Sequence, residues 1–407
     1  MGLISKINIF KKREADDYFL VLDIGNSSVK ALIVKKNAAD SRGYILGHGQ
    51  AELSAQEMTA GQITDIHAVA DQTGNAIETA VQMAGVRPVN TVVGLSSPQI
   101  LSQINKIIYK RLKPKQKLHR QELNKIITDI NTQSQNQLLR NTGLVGSTRD
   151  YILVNAAILH LQVDGVTVQN PLDFVGEQLE FTMYQAFAPL MLINAIQSVA
   201  DDLKLNLLAT VYTAYGLAKT FAGDNYRFAN AWIIDIGEHL TDLVVYENGI
   251  LLGTATFAFG VDKFSTTLAK ELDIPLVKAN QYVVDYSQEL LVKETENQLV
   301  ELFAPIAKRW FTELLTASAK LNTTYPPHKI YLAGGGANLP EISQTLSESS
   351  LQKIHPIDVV SIVDKTTILK NPQDIGPLAL VSLALHFEDN SSPTEKMFRQ
   401  LMQTLRT

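Results

Sequence analysis

The chain has 407 residues, 45% hydrophobic and 19% charged, which is apolar enough for a folded protein and too long for one hydrophobic core to organise. A net charge of −5 and the absence of cysteine exclude a whole-molecule positive field for nucleic acid, disulfides and thiolate metal sites. No apolar run reaches the roughly 18 residues of a membrane-spanning helix, and the eight histidines show no ligand spacing.

After a basic leader, Tyr18–Leu22 predicts a strand, Asp23-Ile24-Gly25-Asn26-Ser27-Ser28 a tight turn and Val29–Val34 a second strand. Gly43–Gly49 reads as the third strand of a meander. Between Ile66 and Ala84, Ile66, Val69, Ala70, Thr73, Ile77 and Ala80 recur at helical period, with Gly85 as C-cap. A block of different order follows: strand Thr91–Leu95, a basic stretch, a polar helix Arg120–Leu139, strand Tyr151–Leu161, a turn at Asp164-Gly165 and strand Leu179–Ala186. An α/β unit resumes with a helix from Pro189 to Leu203, strand Asn206–Val211 and a helix from Ala214.

The second half repeats the opening. Ala231-Trp232-Ile233-Ile234-Asp235-Ile236-Gly237 is again an apolar strand ending in Asp-Ile-Gly, followed by a turn and strand Asp242–Tyr246. A hairpin at Glu247-Asn248-Gly249 leads to strand Ile250–Ala258, then a helix from Val261 and a long helix from about Thr295 to Leu321. Two lobes of one ancestral topology are implied.

Two such hairpins facing each other across a cleft would offer backbone N–H groups to phosphate oxygens. Their aspartates, Asp23 and Asp235, are suited to holding the water shell of a magnesium ion, an indirect metal contact, and Asp235 is the candidate catalytic residue that positions an attacking water. Ile330–Pro340 is a strand running into a glycine loop before a helix, where a flat base or sugar can lie on the backbone. The candidate ligand-binding residues are Asp23, Gly25, Asn26, Ser27, Ser28 and Lys30 in the first hairpin, Gly237, Thr241 and Asp242 in the second, and Gly334, Gly335, Gly336 and Ala337 in the loop.

Each element alone is a common turn, but this order within a repeated lobe resembles the phosphate-1, phosphate-2 and adenosine motifs of the actin, sugar-kinase and heat-shock-chaperone superfamily. Within it the chain is similar to the FtsA family of bacterial cell-division proteins and, less closely, to the PilM family of type IV pilus proteins. Gly61-Gln62-Ile63-Thr64-Asp65-Ile66, Val163-Asp164-Gly165, Asn170-Pro171 and Gly176-Glu177-Gln178-Leu179 look like FtsA stretches. The block before residue 188 falls where FtsA carries a strand-helix-strand-strand (SHS2) module. The resemblance runs from about Tyr18 to Leu385 and implies an α/β, two-lobed actin-like fold of duplicated RNase H-like lobes with an inserted SHS2 module. It implies a basic leader at 1–17, first-lobe core at 18–88, the inserted module at 89–188 and first-lobe core again at 189–227. A second lobe at 228–365, a return to the first lobe at 366–387 and a linker with tail helix at 388–407 complete the organisation.

The resemblance further implies ATP or ADP with magnesium as ligand, self-assembly into filaments, and FtsZ-like or other division proteins as partners. It implies a cytoplasmic location on the inner face of the membrane. Two departures bear on this. Glu238, His239 and Leu240 replace a small, glycine-rich turn, and a carboxylate there repels phosphate. Asn280 and Val283 stand where FtsA has a Glu and a Lys that contact nucleotide. Both imply weak or absent nucleotide binding and hydrolysis, against the alternative that the loop rearranges and still binds. The stretch from Ser287 to Thr295 is also shorter than in FtsA, in the subdomain that docks the FtsZ tail, and resembles PilM. A PilM-like component of a pilus or secretion platform is therefore the first alternative to a division scaffold. An active ATPase or phosphotransferase is the second, with no catalytic base beyond Asp235 to support it.

In the tail, Met397, Phe398, Leu401, Met402 and Leu405 share one helical face flanked by Lys396, Arg399 and Arg406, a pattern suited to lie in lipid headgroups or, alternatively, to pack on the body of the protein. FtsA also ends in a membrane-binding amphipathic helix. The leader, with Leu3, Ile4, Ile7 and Phe10 among lysines, reads equally as a second anchor or as disordered chain. From Lys106 to Lys125 eight basic residues are opposed by Glu122 alone, a run most often a plain solvated surface and otherwise a patch suited to a membrane, a neighbouring subunit or an acidic partner. Deleting residues 394–407 is expected to abolish or sharply weaken sedimentation with anionic liposomes. Phe398→Glu should do the same, because a fully buried large apolar side chain contributes about 1.5–3 kcal/mol. Liposome binding unchanged after loss of both the tail and residues 2–13 would sink the anchor.

Overall fold

The apolar runs beginning at Tyr18 and Ala231 become the centres of two sheets built to one plan. The computed structural model describes residues 17–385 except 38–41, 55, 142–149, 222–229, 324–326, 351–353, 356, 358–361, 365, 367 and 368. The leader and the tail residues Met397, Phe398, Leu401, Met402 and Leu405 thus lie outside the described residues. The chain forms two compact units, one of residues up to Pro98 with Ala195–Leu385, the other centred on Gln99–Asn194.

The larger unit opens with the meander β1 (Tyr18–Ile24), β2 (Ser28–Asn37) and β3 (Arg42–Glu52), a two-residue ribbon β4 (Met58–Thr59) and β5 (Gln62–Ile63), helix α1 (Ile66–Ala84) and strand β6 (Asn90–Leu95). Helix α1 starts where the Asp65 side chain accepts from Ala68 N and stops at Gly85 in the left-handed conformation, φ 70°. β1 pairs antiparallel with β2 and parallel with β6. Leu20, Val21 and Leu22 are accordingly all buried, without the alternation of a one-sided strand. Gly47 and Gly49 of β3 let the sheet touch α1: a Cβ on either would strike the carbonyl oxygen of Ala80 or Ala76.

The smaller unit contains β7 (Leu101–Lys110), α2 (Arg120–Asn141), β8 (Tyr151–Val163), β9 (Val166–Thr167) and β10 (Gln178–Pro189), in the sheet order β7-β10-β8-β9. Leu123, Ile126, Ile127 and Ile130 of α2 meet Leu161, Phe181 and Met183 of the sheet, and Gln185 Nε2 donates to Asn131 Oδ1 at 2.6 Å. This strand-helix-strand-strand order corrects one reading. Thr91–Leu95, expected to open the inserted block, is β6 of the main sheet. The block's first strand is β7, hidden because Lys106 and Lys110 made it look like a basic linker.

Helix α3 (Leu190–Asp202) crosses the boundary between units, and β11 (Asn206–Tyr212) and α4 (Thr213–Phe221) follow. The second half then runs β12 (Ala231–Ile236), β13 (Thr241–Glu247), β14 (Ile250–Phe257), α5 (Asp262–Glu271), α6 (Leu276–Ser287), α7 (Lys293–Ala319), β15 (Lys329–Ala333), α8 (Pro340–Ser350) and β16 (Ile354–His355). Strand β17 (Ile362–Asp364) and helix α9 (Ile375–Leu385) close the chain. The sheets read β11-β6-β1-β2-β3-β17 and β14-β13-β12-β15-β16. Reversing the second gives the same antiparallel meander and parallel extensions, which confirms the repeat. β17 pairs with β3, so the chain rejoins the first sheet by residue 362, not 366. In the second half Trp232, Trp310, Phe264 and Phe303 are fully buried, with Phe264 and Tyr286 edge-on to Phe303 at 5.2 and 5.4 Å.

Gly49→Ala is expected to cost about 1–3 kcal/mol, because the clash is with backbone that cannot rotate away. Gly335→Ala, where an added Cβ meets nothing within 4 Å, should stay within about 0.5 kcal/mol. Denaturant midpoints of the two variants check this; equal midpoints would contradict it.

Candidate functional site

Each half delivers one tight turn to a common cavity. In the first, Gly25 N donates to Ser28 O at 3.0 Å, and in the second Gly237 N donates to Leu240 O at 2.9 Å. Asp23 faces Lys30 across the first hairpin, whereas Asp235 faces Asp242 across the second. The repeat therefore substitutes a carboxylate for an ammonium at one register position. Asn26 Oδ1 accepts from Gly61 N at 2.9 Å and anchors the first turn. The second turn is held from outside, by Val261 N to Gly237 O at 3.1 Å and Asp262 N to Glu238 O at 2.8 Å. Gly260 is required there because a Cβ would strike the Glu238 carbonyl.

The glycine loop follows β15. Gly334 sits at φ 80° with its N–H donated to Pro372 O at 2.9 Å, and a Cβ on it would meet Ile236 O and Asp235 Oδ1. Gly376, at the start of α9, brings the halves' carboxylates together: a Cβ there would lie 3.1 Å from Asp235 Oδ2 and 3.7 Å from Asp23 Oδ2.

The cavity is about 300 Å³ and open to solvent on one side. Of the residues expected from sequence, Asp23, Gly25, Asn26, Ser27, Ser28, Lys30, Asp235, Gly237, Asp242, Gly334 and Gly335 line it. Three do not. The Thr241 hydroxyl is consumed inside the fold, donating to Phe259 O at 2.6 Å and accepting from Trp310 Nε1 at 3.1 Å. Gly336 is buried against Ile236, and Ala337 donates its N–H back to Gly334 O at 3.2 Å. Glu238, His239, Leu240 and Val283 are on the wall, while Asn280 is exposed away from it. Sequence reading missed Ser96, Thr213, Gln373 and Gly376. Ser96 had a usable signal, its place at the carboxyl end of a parallel strand. So did Gly376, which follows the reciprocal capping box of Asn371 and Asp374.

Lys30 is the one lysine among the lining residues, and its Nζ donates to Gln373 O at 2.5 Å. Burial raises the Asp23 carboxyl, opposed by Lys30. Burial, with the negative charges of Asp242 and Asp23, pushes Asp235 up to about 8. Asp242 is raised by burial to about 6 although the Ser96 and Thr256 hydroxyls both donate to it. Glu238 is raised by burial and by Asp262, and burial lowers His239 against the pull of Asp262. Among the described residues no group of three or more His, Cys, Asp or Glu forms a ready cation cage. What the cavity does offer is the amides of the first turn beside Lys30 and an open backbone face at Gly335, a cradle suited to phosphate and to a flat ring.

No family model matches the chain. Among curated relatives it is 23% identical to cell division protein FtsA of Neisseria meningitidis serogroup B over 287 residues, covering 70% of this chain and 65% of that one. Identity to FtsA of Enterococcus hirae is 21% over 392 residues, 91% and 84% of the two chains. To FtsA of Streptococcus pneumoniae it is 22% over 388 residues, 91% and 80%. Among solved structures, a chain of the PilM-PilN type IV pilus biogenesis complex superposes with TM-score 0.64 at 17% identity, covering 90% of this chain and 96% of that one. The ethanolamine utilization protein EutJ of Carboxydothermus hydrogenoformans gives TM-score 0.51 at 12% identity, with coverage of 90% and 89%. The fold is the two-lobed actin-like ATPase fold.

Because the folded state raises Asp235 and Asp242, it holds protons that the unfolded chain releases near the ordinary aspartate value of 3.8. Their contribution to stability is full below that value and is lost as pH rises through about 6 and then about 8. Thermal stability without added cation should therefore fall from pH 5 to pH 9, and Asp235→Asn should flatten the upper part of that fall. Parallel curves for the two proteins would contradict the assignment.

Proposed function

We propose that this chain is an FtsA-type, membrane-associated scaffold that self-assembles and binds ATP or ADP weakly with little or no hydrolysis. The observation that carries this reading is the asymmetry of the two turns around one actin-like cavity. The first turn, with Lys30, has the amides and the cation that phosphates require. The second places Glu238 on the wall, and its carboxylate opposes a phosphate in a medium where charges are poorly screened. Asp235, which burial together with the charges of Asp242 and Asp23 pushes up to about 8, is a poor acceptor for the proton of an attacking water. The amides of residues 26–28 would hold phosphates and the Gly334–Gly335 face would carry base or sugar. A bound nucleotide with magnesium would supply the transferable phosphate and the positive charge that these carboxylates lack. The FtsA relatives, aligned along 91% of the chain in two cases, support a place in division. The amphipathic sequence pattern of Met397, Phe398, Leu401, Met402 and Leu405 supports attachment to lipid at the cytoplasmic face.

A PilM-like role is the second reading, and it rests on the short connection between α6, ending at Ser287, and α7, starting at Lys293, with the superposition on PilM. In calorimetry and phosphate-release assays the wild type should bind ATP more weakly than micromolar and release phosphate near background. Glu238→Gly should tighten binding on the order of tenfold, ~1.4 kcal/mol. Micromolar ATP binding with steady turnover would overturn the impaired site. Retention on an immobilised FtsZ tail favours the division scaffold, and retention on a PilN-type peptide instead favours the pilus role.

A further inference from the structure

The smaller unit carries a surface pattern that the cleft does not use. Strand β7 is an edge of its sheet, pairing with β10 on one side. Its side chains alternate: Ile107 and Tyr109 pack towards the core, and Arg111 continues that inward series as a buried residue. The outward series is Lys106, Ile108 and Lys110, all exposed, and then Leu112, which is 87% exposed. Lysines on an edge strand are accounted for by the need to block edge-to-edge pairing. Ile108 and Leu112 work against that purpose, so the apolar half of the pattern needs another reason.

The loop bearing Leu112 is also held rigidly. The Arg111 guanidinium grips both Glu122 carboxylate oxygens at 3.0 and 2.9 Å, Gly176 O at 3.1 Å and Gln116 O at 3.0 Å. Leu118 N donates to Phe174 O at 2.8 Å and Gly176 N to Pro114 O at 3.2 Å. The 111–118 arm is thereby clamped to 173–177, where Phe174 and Val175 are also exposed. Charge is segregated between the arms. Lys113, Lys115 and Lys117 are exposed on the first, while Asp173 and Glu177 are exposed on the second, and the Asp164 carboxylate is tied to the Glu177 and Gln178 amides.

A preformed loop with a protruding leucine among lysines matches an anionic lipid surface, where ammonium groups sit among headgroups and the aliphatic side chain enters the acyl boundary. An acidic peptide would satisfy the lysines and leave Leu112 in water. We propose that the open edge of β7 and the 111–118 loop form a membrane contact of their own, selective for anionic headgroups, with Leu112 as the inserted residue. This contact depends neither on the tail nor on the cleft.

Leu112→Trp in the full chain gives a direct readout, since Trp232 and Trp310 are buried and supply a constant background. Its emission should shift to the blue and be quenched by brominated lipid on vesicles containing phosphatidylglycerol, but not on phosphatidylcholine alone. The shift should vanish near 1 M salt, where the screening length is about 3 Å. Combining Lys113→Glu, Lys115→Glu and Lys117→Glu should lower partitioning of a chain lacking residues 388–407 on the order of a hundredfold, with an unchanged circular dichroism spectrum. A protein held to vesicles by its tail alone would bind without any shift, and that result overturns the proposal. So does a shift produced as strongly by poly-glutamate as by vesicles, which would identify a protein partner.

Discussion

Three carboxylates crowd one cavity, Asp242 buried and Asp23 and Asp235 half-buried, and most of its surroundings are arranged to make that tolerable. Asp23, Asp235 and Asp242 share a wall on which Lys30 is the one lysine. Isolated charges in such a place cost several kcal/mol each unless they are paired or neutralised. Asp23 meets the requirement through Lys30 directly across its hairpin. Asp242 does so through the hydroxyls of Ser96 and Thr256, the latter in contact with the Tyr212 hydroxyl at 2.7 Å. Asp235, whose cross-strand partner is another acid, is left to hold a proton. One fold repeated twice has therefore produced two chemically different turns, one with an ammonium and the other with a carboxylate across the hairpin from its aspartate.

The packing behind the cavity follows from the same geometry. The turns approach one another only because small residues stand where the backbone crosses: Gly376 between Asp23 and Asp235, Gly334 against Ile236. Helices α4 and α9 cross at Gly216, where a Cβ would touch Leu380 at 3.4 Å. The Tyr246 hydroxyl donates to Ala218 O at 2.6 Å and ties β13 to α4. Trp310, through Thr241, holds the base of the second turn from the core side. A change deep in the second half's aromatic core is thus connected to the cavity through the Thr241 hydroxyl as well as through Val283 and Leu339, which belong to both.

The lobes, the repeat and both aspartate turns were legible in the sequence because each depends on a local pattern: an apolar strand, a turn-forming tetrad, a second strand. Strand β7 was not, because its inward Ile107 and Tyr109 alternate with lysines and the composition alone reads as linker. Thr241 illustrates the reverse error. Its place beside Asp242 gave it the look of a ligand, yet its hydroxyl is spent on Phe259 and Trp310, residues 18 and 69 positions away. Ser96 and Gly376 carry local signals, a strand end and a preceding capping box, but the cavity they reach is assembled from strands and helices distant in the chain, so those signals alone do not place them there. Glu238 lines the cavity wall, and its backbone role, with its carbonyl bonded to Asp262 N, emerges only in three dimensions.

The parallel neighbours β6 and β11 are separated in sequence by the whole of the smaller unit. A chain leaving the ribosome therefore has the smaller unit in hand before the first sheet can acquire its fifth strand. The last strand of that sheet, β17, joins β3 from more than three hundred residues downstream. Non-local pairings of this kind form slowly, so the strand edges at β3 and β6 wait through most of synthesis without their final partners. Unpaired edges are where nascent chains aggregate, and for this chain the order of translation makes the N-terminal sheet the segment most in need of protection until the C-terminal residues emerge.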